Sequence, residues 1–231
     1  MQRDRLNQIV REYRGLMVFF ALMLVFRSAC ADWMIVPTAS MNPTIIEGDR
    51  ILVNKHAYGW RVPFTMTRIT QGDDPQRGEI AVFYSPADGK RLVKRVIGVP
   101  GDTVELRDDV LFINGQPQTY APDATEYELP DAAAQLSHVF FTEKLVTSPR
   151  PVDHPIMLLP HQLAMTNFGP IKVTTDHYFM MGDNRDNSRD SRYFGLASRE
   201  SFGGRASKIV ASLDPDHWYV PRSTRFWHEL K

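Results

Sequence analysis

A serine held between two prolines is the first candidate for chemistry in this chain of 231 residues. Pro37 and Pro43 bracket Ser40, and because proline fixes φ and lacks an N–H, the backbone through this serine is expected to be stiff and non-helical. A serine hydroxyl is a weak nucleophile until a base takes its proton. The segment follows the longest apolar run of the chain, so Ser40 is a candidate nucleophile for a substrate delivered at a bilayer surface.

Lys94 is the candidate base for this serine. If residues 91–99 form a strand, Lys94 shares one face with Leu92 and Val96, whereas Arg95 points to the other face. Apolar neighbours disfavour the charged ammonium and lower the pKa of a lysine, and a neutral lysine can act as a general base near neutral pH. Spacing alone leaves a second interpretation open, in which Lys94 lies on an edge strand with its ammonium in water.

The polar segment at residues 182–192, GDNRDNSRDSR, is the third candidate element of a site. It is too polar to pack and too rich in turn-forming residues to extend, so we expect a loop held by its own hydrogen bonds and ion pairs. A calcium loop is one alternative, but Arg185 occupies a ligand position and no closing Glu follows at the right spacing. A solvated structural loop is the other alternative, and no metal site is predicted.

Other arrangements have less support in the sequence. No G-x-S-x-G sequence is present, so the main signal of an α/β-hydrolase is missing. The 7 histidines lie in no recognisable triad context and are interpreted as surface or turn residues. The formal net charge is zero without a basic stripe, which argues against nucleic-acid binding. Cys30 is the only cysteine, so neither an internal disulfide nor a Cys-rich metal site can form.

Strands must position these residues, because short apolar runs recur between turn signals and no window keeps a long 3.6-residue period. The expected strands cover residues 50–55, 79–84, 91–99, 110–113, 177–181 and 206–212. Asn114-Gly115 is a strong signal for a tight turn. Between residues 116 and 175 the pattern weakens. We therefore predict a mostly β fold of antiparallel sheets, with a catalytic core at 32–104 and 176–231 and an inserted cap region at 105–175.

The N-terminal apolar segment is predicted to be a single transmembrane anchor. Residues 15–31 contain one charge, Arg27, and approach the lower limit of about 17 residues for a spanning helix. Four arginines precede the segment, which by the positive-inside rule places residues 1–14 in the cytoplasm and residues beyond 32 outside. A cleaved signal peptide is one alternative, because Ala29-Cys30-Ala31 is typical of a cleavage site, although Arg27 argues against it. A buried core helix is the other alternative.

Four segments, in order, closely resemble the conserved boxes of bacterial signal peptidase I: residues 37–44, 48–55, 94–102 and 181–192. The resemblance extends from about residue 25 to residue 212, except for the insertion. It implies a membrane-bound serine endopeptidase with a Ser-Lys dyad, which cleaves N-terminal signal peptides from exported preproteins after small residues, at Ala-x-Ala type sites, without a cofactor. It also implies the lipid bilayer and a nearby secretion translocon as partners. The expected location is the bacterial inner (plasma) membrane, as a single-pass protein with a periplasmic or extracytoplasmic catalytic domain.

The resemblance further implies roles for individual residues. Ser40 matches the nucleophile and Lys94 the general base. The hydroxyl of Thr38, with the backbone N–H of Ser40, matches the oxyanion hole, and the hydroxyl of Ser188 matches the group that orients the lysine. The charged residues that match supporting positions are Asp190, Arg192 and Arg95. Two shallow apolar pockets for small substrate side chains match Met34, Val36, Met41, Ile45, Ile51, Val82, Leu92 and Val93, for which ordinary core packing is the alternative.

The chain also departs from better-known Gram-negative members, which have two N-terminal membrane segments and a longer insertion, so the resemblance leaves the cap and the topology open. Two other functions remain as alternatives. One is a specialised Ser-Lys processing peptidase, of a conjugation or pilin system or related to self-cleaving repressors, which are soluble and would lack the anchor. The other is a catalytically silent membrane-anchored binding protein, against which the intact Ser40, Lys94 and Ser188 argue. The aromatic residues within 218–227 either touch the bilayer interface or close the domain.

Overall fold

The structure is a computed structural model that describes residues 2–29, 31–62, 65, 67–146 and 151–230. Its first half contains α1 (Gln2–Ala29), β1 (Ala31–Ile35), β2 (Asp49–Asn54), β3 (Ile80–Tyr84), β4 (Arg91–Gly98), β5 (Thr103–Arg107), β6 (Val110–Ile113), β7 (Gln116–Pro117) and β8 (Thr119–Pro122). Its second half contains α2 (Asp131–Ala134), β9 (Val139–Leu145), β10 (Val152–Leu158), β11 (Phe168–Lys172), β12 (His177–Met181), α3 (Ser191–Phe194), β13 (Ala197–Ser198), β14 (Phe202–Asp214), β15 (Val220–Pro221) and β16 (His228–Glu229). Short 3-10 turns lie at Ala39–Met41, Lys55–Tyr58, Arg199–Ser201 and Ser223–Arg225.

The strands of these described ranges form three sheets. The largest has the order β1-β2-β14-β3-β4-β12-β13, and β15 and β16 also pair with β14. The two smaller sheets have the orders β10-β9-β8 and β11-β5-β6-β7. Neighbouring strands run antiparallel, as in the pairs of β4 with β3 and with β12. The mostly β, antiparallel architecture that the sequence predicts is confirmed.

Local sequence explains the strands around the candidate residues. β2 alternates between buried and half-buried positions, as expected for a strand with one face on the core. β3 is buried over four successive residues, because it lies between β14 and β4. Asn114 and Gly115 join β6 to β7 with positive φ angles of 54° and 77°, the conformation that a tight hairpin turn requires.

Among the described residues, three apolar clusters form the core. Val93 and Val96 point to opposite faces of β4 and belong to two different clusters. The third cluster joins Phe179 of the large sheet with Leu111 and Leu145 of the smaller sheets. The inserted region therefore shares a core with the large sheet.

The inserted region is more regular than its sequence pattern indicates. β9 and β10 pair over seven residues each, although Pro155 interrupts the apolar pattern of β10. A proline is tolerated there because β10 lies at the edge of its sheet. The predicted boundary between residues 104 and 105 falls inside β5.

The predicted anchor coincides with α1 up to Ala29, whereas Cys30 lies outside the described residues and Ala31 begins β1. Among the helices of the described residues, none is long and apolar enough to cross a membrane. The large apolar side chains from Leu16 to Leu24 are 42% to 64% exposed. The alternative of a buried core helix therefore does not hold for this part of α1.

Candidate active site

Ser40 lies in the 3-10 turn Ala39–Met41, which follows β1 and Pro37. The sequence predicts a non-helical backbone through Ser40, whereas the structure has one short 3-10 turn there. The turn can form because Pro37 and Pro43 both lie outside it. Thr38 precedes the turn in an extended conformation, with φ −138° and ψ 148°. β1 therefore leads the chain directly into the turn that presents the serine.

Lys94 approaches this turn from β4. Its Nζ lies 2.5 Å from Ser40 Oγ and donates a second hydrogen bond to the carbonyl of Val93 at 3.0 Å. The lysine is 3% exposed, and β4 lies between β3 and β12 rather than at an edge of the sheet. The alternative of an edge-strand lysine with its ammonium in water is therefore excluded.

The environment makes Lys94 a suitable proton acceptor. Burial lowers the pKa of Lys94 from its usual 10.5 to about 8, because removal from water penalises the ammonium. The carboxylates of Asp190 and Asp183 raise this pKa, and the guanidinium of Arg192 lowers it. A pKa near this value leaves a substantial fraction of the amine neutral close to neutral pH, as a general base requires. Such a pair can perform nucleophilic attack by the serine oxygen with the lysine amine as proton acceptor.

Most of the loop at residues 182–192 is buried, which corrects the expectation that it is too polar to pack. Asp183 accepts two hydrogen bonds from Arg95, at 2.8 and 2.7 Å, and Asp190 pairs with Arg192 at 2.8 Å. These ion pairs, one of them with a distant strand, offset the cost of burying the charges. Both carboxylates are engaged by arginines, and within the described ranges no group of three or more potential metal ligands is present.

The same loop packs directly against the nucleophile turn. The Thr44 hydroxyl donates a hydrogen bond to Asp183 at 2.5 Å. A Cβ atom built on Gly182 would lie within 3.0 Å of both the Ser40 carbonyl oxygen and Ser188 Oγ. Glycine is therefore needed for this close approach of two backbone segments.

Thr38 and Ser188 carry the other two hydroxyls that the resemblance places in the site. Thr38 is exposed, and its hydroxyl makes no cap hydrogen bond to the turn that follows it. Ser188 is 6% exposed, and its Oγ has no hydrogen-bond partner among the residues that the structure describes. The hydrogen bond from Ser188 to Lys94 that its expected role requires is therefore not formed here, and the roles of both hydroxyls stay predictions.

Most of the expected pocket residues lie together. One buried cluster contains Met34, Val36, Met41, Ile45, Ile51, Val82 and Val93. Leu92 is separated from them, because it points to the other face of β4 and packs against the cluster of Val96. Met41, Ile45 and Ile51 are fully buried, which is also the result of ordinary core packing. Their contact with substrate stays a prediction.

Buried charged residues of the inserted region reach the same loop, and the sequence analysis does not identify them. Glu143 of β9 accepts two hydrogen bonds from Arg185, at 2.9 and 2.5 Å. His154 of β10 lies 3.2 Å from Glu143 and 3.9 Å from Asp183. The interpretation of every histidine as a surface or turn residue is wrong for His154, which is 1% exposed. Its spacing of two residues from the buried Ile156 is the signal that indicates an inward side chain.

Comparison with known proteins finds relatives that match most of the chain. The family described as signal peptidase, peptidase S26, matches residues 10–211. The signal peptidase I of Pseudomonas fluorescens is 36% identical over 217 residues, which cover 88% of this chain and 73% of the relative. The signal peptidase I of Rickettsia typhi is 32% identical over 239 residues, which cover 94% of this chain and 87% of the relative.

A crystal structure of a signal peptidase I from Enterococcus faecalis is 36% identical to this chain. The alignment covers 58% of this chain and 97% of that one, with a TM-score of 0.34. The assignment rests on the sequence matches. On these matches, the chain belongs to the signal peptidase family, peptidase S26, and is a serine peptidase.

Proposed function

We propose that this chain is a membrane-bound endopeptidase that cleaves N-terminal signal peptides from exported preproteins after small residues, at Ala-x-Ala type sites. The observation that carries the proposal is the 2.5 Å contact between Lys94 Nζ and Ser40 Oγ, in a chain of the signal peptidase family. The contact supports hydrolysis by a serine nucleophile with a lysine base. The name of the relatives, signal peptidase I, supports signal peptides as the substrate.

Acylation begins when Ser40 Oγ attacks the carbonyl carbon of the scissile bond and its proton passes to the neutral amine of Lys94. The charge that develops on the carbonyl oxygen is stabilised by the Ser40 N–H and the Thr38 hydroxyl, which makes no cap hydrogen bond of its own. The lysine ammonium then gives its proton to the leaving amine as the C–N bond breaks. The mature protein departs, and the signal peptide stays as an ester on Ser40.

Deacylation uses the same lysine. A water molecule attacks the ester carbonyl while neutral Lys94 takes its proton, and the C–O bond to Ser40 then breaks. The lysine returns the proton to Ser40 Oγ, so the cycle balances without a cofactor. In this proposal Ser188 orients the amine after a rotation of its side chain, and the ion pairs of Arg95 and Arg192 hold the loop in place.

The substrate is proposed to bind as an extended strand beside β1, which ends the strand order of the large sheet and leads into the nucleophile turn. Asp32 of β1 lies 3.6 Å from Arg91 of β4, so the two strands approach each other at this end. Alternate substrate side chains then face the cluster that contains Met34 and Val93. Because the residues of this cluster are almost fully buried, little free volume is expected beside them, and small side chains should fit best.

Attachment to the bacterial plasma membrane through α1 is part of the same proposal. Its support is the exposed apolar surface from Leu16 to Leu24 and the arginines that precede it. The N-terminus is then cytoplasmic, and the catalytic part is extracytoplasmic, near the translocon that delivers preproteins. Membrane fractionation with N-terminal sequencing tests this arrangement, and either a mature N-terminus at Asp32 or complete recovery in the soluble fraction contradicts it.

The test of the peptidase is cleavage of a preprotein by the purified full chain in detergent, with N-terminal sequencing of the product. Ser40→Ala and Lys94→Ala are each expected to abolish cleavage, and the double variant to be little worse, because the two groups act as one unit. The matched controls are Ser137→Ala and Lys90→Ala, which change an exposed serine and an exposed lysine. Cleavage by Ser40→Ala at the wild-type rate contradicts the proposal, and cleavage of pilin-type substrates alone favours the specialised peptidase.

A further inference from the structure

One side chain of the loop at residues 182–192 holds the backbone of the nucleophile turn. Asn184 Nδ2 donates a hydrogen bond to the carbonyl oxygen of Ala39 at 3.1 Å, and the backbone N–H of Asn184 donates to the carbonyl oxygen of Ser40 at 3.3 Å. Asn184 is 1% exposed, whereas Ala39 and Ser40 are half-buried, so the two bonds lie at the edge of the buried loop. Asn184 thus contacts the carbonyl groups on both sides of the nucleophile's Cα, and the Ala39 carbonyl also accepts the hydrogen bond of the turn itself, from the Asn42 N–H at 3.0 Å.

The bond to Ala39 has a consequence for the oxyanion site. The carbonyl of Ala39 and the N–H of Ser40 belong to one planar peptide group and point in opposite directions. A hydrogen bond that holds the carbonyl therefore also sets the direction of the Ser40 N–H. It polarises the same amide as well, which makes that N–H a stronger donor.

The backbone of Asn184 is itself held on both sides. Met157 of β10 donates its N–H to the carbonyl of Asp183 at 2.9 Å, and Arg185 donates its N–H to the carbonyl of Met157 at 2.9 Å. The side chains of these two neighbours of Asn184 are anchored in the buried ion pairs described above. The inserted region thus provides a rigid support for the asparagine.

Stability alone does not explain an asparagine at this position. The oxygen of Ala39 can only accept, so the amide must present its NH₂ group and direct Oδ1 elsewhere. Oδ1 is buried and has no hydrogen-bond partner within the described structure. An unpaired buried acceptor destabilises a fold, whereas the bond from Nδ2 fixes the peptide group at the nucleophile.

We propose that Asn184 is a positioning residue for the oxyanion site, which orients the Ser40 N–H through the Ala39–Ser40 peptide group. This inference rests on the proposed function, because it requires the Ser40 N–H to meet the oxygen of the tetrahedral intermediate. It predicts that Asn184 contributes to binding of the transition state and not to binding of the ground state.

The experiment compares Asn184→Leu and Asn184→Ala with a matched control, Asn187→Ala, which changes an exposed asparagine of the same loop. Both Asn184 variants are expected to lower kcat on a preprotein about 10- to 100-fold, with KM changed less than about twofold. A peptide aldehyde forms a hemiacetal with the nucleophilic serine, and its affinity is expected to fall by the same factor. Affinity for the product signal peptide and all parameters of Asn187→Ala are expected to stay within about twofold.

Unchanged aldehyde affinity in a folded Asn184 variant, or equal losses for aldehyde and product peptide, overturns the inference. Thermal unfolding identifies a variant that fails to fold. Asn184→Ala is the safer substitution, because it removes the unpaired Oδ1 without adding volume. Failure of the proposed function appears separately, as cleavage by Ser40→Ala or as a wild type that the aldehyde does not inhibit, and that result overturns both proposals.

Discussion

Arg95 holds Asp183 through two hydrogen bonds, from Nε at 2.8 Å and from Nη2 at 2.7 Å, one residue along β4 from Lys94. Burial raises the pKa of the Asp183 carboxyl, but the charge and hydrogen bonds of Arg95, together with His154 and the hydrogen bond from Thr44, outweigh burial, so the net shift is downward and the carboxylate stays charged. The Asp183 carboxylate raises the pKa of Lys94, and without the positive charge of Arg95 beside it this effect is expected to be larger. The arginine that neutralises Asp183 thus helps to keep the lysine a base near neutral pH.

The first prediction concerns the pH dependence of the wild type. Because burial lowers the pKa of Lys94 to about 8, kcat/KM is expected to rise with pH and to level off above about pH 9, where the amine is neutral. Initial rates on a signal-peptide substrate between about pH 6 and 10 check this. A profile that falls across this range, or that titrates at the ordinary value of a histidine, indicates a different base.

Asp190 and Arg192 form one ion pair but change the pKa of Lys94 in opposite directions. Asp190→Asn removes a charge that raises this pKa, so the rising part of the pH–rate profile is expected to move to lower pH. Arg192→Gln removes a charge that lowers the pKa, so the rise is expected to move to higher pH. Each variant leaves one buried charge without its partner and is expected to be less stable by about 3 to 5 kcal/mol.

The pH–rate profile separates an electrostatic role of this pair from a purely structural one. If a variant only loses structure, its rate is lower at every pH, but the rising part of its pH–rate profile stays at the wild-type pH. Asp153→Asn, which removes an exposed carboxylate, is the control for a change of charge alone and is expected to leave the profile in place. If both variants move the rise in the same direction, Lys94 is not the group that titrates.

The third prediction concerns stability and His154. Burial and Arg95 lower the pKa of His154 from its usual 6.5, although Glu143 and Asp183 raise it. The folded protein therefore takes up this proton less readily than the unfolded chain does. The free energy of unfolding is expected to fall as pH falls through about 6.5, by up to about 1.4 kcal/mol per pH unit.

Thermal unfolding between about pH 7.5 and 5.5 checks this loss of stability, since the carboxylates of the unfolded chain titrate below that range. His154→Gln is expected to remove this loss of stability toward low pH, whereas His161→Gln, at an exposed site, is expected to keep it. An unfolding temperature that does not change across this range in the wild type contradicts a neutral buried histidine.

The sequence predicts those strands that consist of a short apolar run between turn residues. β4 and β6 are predictable because apolar residues recur over a short run and end at turn residues, as at Asn114-Gly115. β10 is not, because His154 and Pro155 break the apolar pattern, and the pairing with β9 supplies the missing stability. The alternation along β4 turns Leu92 to the opposite face from Val93, so the structure separates it from the other expected pocket residues, and its contact with substrate stays a prediction.

Partners across the chain are the part of the site that sequence does not predict. Asp183 and Arg95 are 88 positions apart, and Arg185 lies 42 positions from Glu143. From composition alone, a charged segment with such distant partners cannot be distinguished from a loop exposed to solvent. Its burial follows from the packing of β10 against it through Met157, which is a tertiary event.

The last prediction concerns Thr38. The tetrahedral intermediate places negative charge on the carbonyl oxygen, and a donor that is already in position lowers that barrier. Thr38 lies two residues before Ser40 in extended backbone, it is exposed, and its hydroxyl makes no cap hydrogen bond to the following turn. A threonine that merely stabilised the turn would use its hydroxyl for such a bond. The hydroxyl is thus left available for the substrate oxygen beside the Ser40 N–H.

Thr38→Val keeps the branched shape and deletes the donor, so kcat on a preprotein is expected to fall on the order of 100-fold, with KM nearly unchanged. Thr38→Ser keeps the hydroxyl and is expected to retain most of the activity, which separates the donor from the shape of the side chain. Steady-state kinetics of the three proteins with one preprotein decide the question. If Thr38→Val is as active as the wild type, the threonine has no role at the oxyanion, and the Ser40 N–H that Asn184 orients is the donor that remains.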